Sequence, residues 1–144
     1  MKNHYKKDII NAISGLFIIL FIYAATSKLS EYQKSELQIM QSPIIADFAT
    51  TLVWLVPAIE IIISILLAIP KTVLIGLISS FGLMCLFTVY IYSILNFADH
   101  IPCSCGGVLQ MLSWTQHLIF NITFIIMAVI AVLLQIKISE QKAK

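Results

Sequence analysis

A chain of 144 residues that is 60% hydrophobic and 11% charged is too short to bury its apolar surface in one water-soluble domain, where about 25% charged residues are usual. Its net charge of +2 rests on nine lysines with no arginine, and no basic run interleaved with aromatics follows a phosphate track, so nucleic acid is excluded as a partner and membrane lipid is the expected surrounding. Three cysteines are too few for a disulfide-stapled secreted fold and enough for redox or metal chemistry.

The first apolar run covers residues about 9–25, close to the roughly 20 residues that cross a bilayer. Lys2, Lys6 and Lys7 precede it as they would in a secretory leader. The run is longer than a leader's apolar region and Tyr23-Ala24-Ala25-Thr26 offers no good cleavage site, so it reads as a retained span. Leu29, Tyr32, Leu37 and Met40 then recur at near-helical spacing among polar residues, which predicts an amphipathic helix at the outer interface, with a mobile loop as the alternative. Ser42-Pro43 has the form of a helix cap and first turn.

A second span is expected over about 51–69, and it holds Glu60 between Ile59 and Ile61. A carboxylate at that depth costs roughly 2.5–3.5 kcal/mol to insert, so Glu60 should face the bundle interior and be paired, protonated or both. Lys28, beyond the first span, is the nearby cation with a stem flexible enough to reach it. Pro57, one turn earlier, frees a carbonyl and favours a kink toward the same place. A structural hydrogen-bonding anchor is the alternative to a functional acid.

Pro70-Lys71 turns the chain into a third span, about 72–96, where Gly76, Ser79, Ser80 and Gly82 form a small-residue stripe suited to close helix packing. Cys85 lies near its middle, about 16 Å below the end near Asn96 at 1.5 Å per residue; it is a small buried hydrophobe or a resolving thiol.

The loop 97–113 carries Asp99-His100-Ile101-Pro102-Cys103-Ser104-Cys105-Gly106-Gly107. Proline holds the preceding residue extended and glycine permits positive φ, so the backbone can turn tightly around the two thiols. A Cys-x-Cys bridge closes a very small ring, which favours strain and easy reduction over stapling. Three readings stand: a redox-active pair at Cys103 and Cys105, a passive local disulfide, or a soft-metal site in which the pair joins His100, Met111 or His117 to hold copper or zinc.

The fourth span, about 114–136, opens with Ser113-Trp114-Thr115-Gln116, a capping-box pattern. Trp114 reads as an interfacial anchor. His117 and Asn121 share its face beneath the cysteine loop. His117 would move a proton or favour the thiolate, or would be structural, bonded to Asn96 or Asp99; Asn121 would bond between helices. The expected fold is therefore all-α, a single domain over 1–144 forming a bundle of four transmembrane helices. Seven lysines, at positions 2, 6, 7, 71, 137, 142 and 144, mark one side, which places both termini in the cytoplasm and the cysteine loop outside, where disulfides persist.

Lys28, Pro57-x-x-Glu60, Pro102-Cys103-Ser104-Cys105-Gly106-Gly107, and Ser113-Trp114 with His117 and Asn121 together resemble the MauE/DoxX superfamily of small four-helix membrane proteins, and within it the MauE branch. The resemblance covers nearly the whole chain. It implies a redox-associated inner-membrane protein that helps to form disulfides or a matured quinone cofactor in an exported dehydrogenase subunit; a quinone as this chain's own cofactor enters only by that analogy. Gly106 stands where methylamine-linked members carry phenylalanine, so the redox role transfers and the methylamine substrate is left open.

The expected function is thus a thiol–disulfide, electron-transfer component with Cys103 and Cys105 as redox pair, His117 or Asp99 managing protons, and Glu60, Lys28 and Asn121 as a buried polar centre. Its partners would be an exported thiol or disulfide protein and a membrane redox subunit, because one redox pair alone is short of a complete oxidoreductase. The alternatives are a copper- or zinc-handling membrane protein using Cys103, Cys105 and His100, and a non-catalytic accessory subunit.

Overall fold

The computed structural model describes residues 2–42, 44–97 and 113–143, and the described chain is helical almost throughout. Helix α1 covers Lys2–Ser30, α2 Tyr32–Met40, α3 Ala49–Ala68, α4 Val73–Phe97 and α5 Trp114–Ala143; a short 3-10 turn, Ala46–Phe48, leads into α3. Four helical stretches, His4–Ser30, Ala46–Ala68, Val73–Phe97 and Trp114–Gln141, are long and apolar enough to cross a membrane. Three of them exceed the run that hydropathy marks out, because helical hydrogen bonding continues into the flanks, while Val73–Phe97 has the expected length.

Packing follows the buried stripes. On α1 the inward residues are Ile10, Ile13, Ser14, Phe17, Phe21 and Ala25, spaced three or four apart as one helical face requires. On α3 they are Ala49, Val53, Pro57, Glu60, Ile63, Ser64 and Leu67. The outward faces are apolar too, with Ile19, Ile62, Ile75, Leu86, Ile119 and Leu133 all well exposed; this is the surface a lipid-facing bundle presents, not that of a soluble monomer. Helices α1, α3, α4 and α5 form a ring in that order, each packing on the next, and α5 closes on α1.

Several hydroxyls within the spans satisfy themselves locally. Ser64, Ser80 and Thr88 donate to the carbonyls of Glu60, Gly76 and Met84, four residues earlier, where lipid offers no alternative partner. The small-residue stripe on α4 proves to be two unlike halves. Gly76 and Ser80 are buried, and a Cβ at Gly76 would stand 2.9 Å from the Leu67 backbone nitrogen; Gly82 is exposed with nothing near it. Gly76 therefore brings α4 against α3, while Gly82 meets no other side chain or backbone among the described residues.

Ser42 does not cap the second span. It lies before the 3-10 turn, buried, with its hydroxyl accepting from the Ile44 N–H at 3.4 Å and facing Tyr90 of α4. Helix α2 continues from α1 across a break at Glu31, where φ is −120° and ψ is 45°. It then runs antiparallel along α3, since Tyr32 stacks near Trp54 at 5.8 Å and Glu36 accepts from Thr50 at 2.9 Å.

Candidate functional site

The first candidate residue is set by position on α1. Lys28 follows Phe21 and Ala25 on the buried stripe and lies two residues before the helix end at Ser30. Side chains on a helix lean toward its N-terminus, so the lysine stem is directed back into the bundle. Glu60 lies eleven residues past the start of α3, about 16 Å at 1.5 Å per residue, on that helix's buried stripe. The two meet, Lys28 Nζ donating to Glu60 Oε1 at 2.5 Å. The Glu60 side chain is 1% exposed and that of Lys28 is 35% exposed. Charge pairing inside apolar surroundings is what permits a carboxylate at this depth.

Each spanning helix contributes to this centre. From α4, the Phe87 ring centroid lies 5.3 Å from Lys28 Nζ, a cation–π contact. From α5, half-buried His117 lies within electrostatic range of Lys28. Asn121, one turn further along the same face, is 2% exposed. Beyond it an aromatic floor closes the interior, where Phe17 meets Phe21 at 5.6 Å and Phe124 edge-on at 5.1 Å.

Helix α3 therefore continues well above the centre, whereas α1 ends just past Lys28 and α5 begins one turn before His117. Helix α2 occupies part of that difference by continuing along α3, and its Ser35 hydroxyl donates to the Lys28 carbonyl at 3.4 Å. Pro57, three residues before Glu60, has no N–H and leaves the Val53 carbonyl without its helical donor.

The start of α5 is fixed by reciprocal bonds. The Ser113 N–H donates to Gln116 Oε1 at 2.9 Å and the Gln116 N–H donates to Ser113 Oγ at 3.3 Å, a capping box. This determines where the chain that carries the cysteine pair enters the bundle, one turn from His117.

The structure thus brings together Lys28 and Glu60, with His117 nearby, and puts Asn121 on the interior face. Cys103, Cys105, Asp99, His100 and Met111 lie outside the described residues. Cys85 is a free thiol of intermediate burial on α4. No group of three His, Cys, Asp or Glu side chains able to hold a metal occurs among the described residues. Phe87 was not singled out by sequence reasoning, since an aromatic in an apolar span carries no signal until its neighbour is a cation. The same holds for the Tyr90–Ser42 contact.

Residues 6–134 match the family described as methylamine utilisation protein MauE. No curated protein and no solved structure was found to match the chain.

Proposed function

The chain belongs to the MauE family and is a multi-pass membrane protein with four spanning helices; from that premise we propose that it is a thiol–disulfide component of the inner membrane, serving the maturation of an exported protein. Cys103 and Cys105 are its redox pair. A thiolate of one protein attacks a sulfur of the other's disulfide, the second sulfur leaves as thiolate, and a second thiol resolves the mixed disulfide. Two electrons and two protons move with the exchange, and a membrane redox subunit restores the pair. His117 or Asp99 handles the protons, and the Lys28–Glu60 pair with Asn121 couples the cysteine loop to the bundle.

The observation that carries this reading is the pairing of Cys103-Ser104-Cys105 with a helix start, Ser113–Gln116, that returns the chain beside a buried ionic centre. A pair that close in sequence makes a poor staple and a good exchanger. The loop faces outward by the lysine distribution. The test is a trapping experiment with Cys105→Ser, which leaves Cys103 unable to resolve within the chain. A reductant-sensitive adduct with an exported protein is expected, and it should vanish in Cys103→Ser. No adduct in Cys105→Ser, together with unchanged oxidation of all exported thiol proteins in Cys103→Ser, overturns the reading.

A further inference from the structure

Two buried polar atoms in the bundle lack what their chemistry requires. Glu60 Oε1 accepts from Lys28, but Oε2 has no hydrogen-bond partner among the described residues, and neither has the side-chain amide nitrogen of Asn121. Leaving such a group unsatisfied costs about 1–3 kcal/mol, more when it is charged. Interior positions of this kind hold a guest that supplies the missing bond. Ser14 Oγ is also unpartnered, but the aromatic pair Phe17–Phe21 lies between it and the centre on α1, so it is a separate place.

The centre restricts what the guest can be. Lys28 and Glu60 neutralise each other, so a charged guest would bring uncompensated charge into a low-dielectric interior. Glu60 Oε2 is an acceptor and requires a donor. Lys28 Nζ carries three N–H groups and Glu60 Oε1 takes one, which leaves donors for a guest's lone pairs. A hydroxyl is the smallest group that donates to the first and accepts from the second. The approach is past Lys28, the one-third-exposed partner, with the Phe87 ring alongside.

We propose that the Lys28–Glu60 centre binds one neutral hydroxyl group, of water or of a hydroxyl-bearing membrane-soluble molecule, bridging Glu60 Oε2 and Lys28 Nζ. Among the described residues the site is built from α1, α3, α4 and α5, and its occupancy can be read without reference to the cysteine pair.

The test uses the whole chain purified from native membranes and placed in phosphatidylcholine vesicles, with infrared difference spectra of wild type against Glu60→Gln in H2O and D2O. Water as the guest gives an O–H stretch that exchanges in D2O and is absent in Glu60→Gln. A membrane-soluble guest is instead extracted by organic solvent from the purified protein at about one per chain, and is lost from Glu60→Gln. Finding neither overturns the proposal. If Glu60→Gln does not accumulate, Glu60→Asp keeps the charge and draws it back by one methylene, and the guest's band should shift; a band that is unmoved contradicts the site.

Discussion

Lys28 and Glu60, 32 residues apart in the chain, join the end of α1 to the interior of α3, and they are unequally placed, one side chain 35% exposed and the other 1%. Removing either partner therefore has a different consequence. Lys28→Met leaves a carboxylate deep in the bundle without its cation and should cost about 3–5 kcal/mol. Glu60→Leu leaves a lysine that can turn its ammonium outward along its stem, and should cost clearly less. The double variant should recover most of the loss. Denaturant titration in detergent micelles measures the order, and equal costs for the two single variants would show that burial does not set the asymmetry.

Gly76 is the close approach of α4 to α3. Gly76→Ala places a methyl against the Leu67 backbone, where little can yield, and should cost about 1–3 kcal/mol by overpacking. Gly15→Ala and Gly82→Ala meet nothing within 4 Å and should be neutral or stabilising by up to about 1 kcal/mol through helix propensity. Thermal unfolding of the three variants in one detergent compares them directly.

The reciprocal bonds of Ser113 and Gln116 hold the start of α5. Ser113→Ala should cost about 0.5–2 kcal/mol and raise amide exchange in the first turn of α5, residues 114–117, while the interior around Ala128 and Ala131 stays protected. Hydrogen exchange read by mass spectrometry resolves the two regions.

The four spans were legible because a bilayer demands long apolar runs and little else in the chain meets that demand. Glu60 and Asn121 were legible for the converse reason, as polar residues on otherwise apolar stripes. The position of α2 was not. Nine residues with no buried member fit any apolar surface, and the contacts that hold α2 against α3, Tyr32–Trp54 and Glu36–Thr50, join residues far apart in sequence. Ser42 misled because a serine before proline suits a helix cap, whereas the helical turns begin later, at Ala46, and the Ser42 side chain meets Tyr90 instead. Phe87 stayed hidden because its role depends on where Lys28 arrives. The cysteine pair lies outside the described residues, and its role rests on spacing, on family membership and on the helix start that follows it.

Orientation is separately testable. A reporter active only in the cytoplasm, fused after Lys144, should be active, and the same reporter inserted between Asp99 and His100 should be silent. The reverse pattern would put the cysteine loop in the reducing compartment and remove the basis for exchange with exported proteins.

The redox state of Cys103 and Cys105 in intact membranes, read with an impermeant, mass-shifting maleimide in a Cys85→Ala background, decides whether the pair is an exchanger. An exchanging pair labels only after mild reductant, with a midpoint potential above about −300 mV, the level below which structural bridges typically lie. Thiols that label without reductant once a chelator has been added, or a bridge with a potential below that level, would contradict that role.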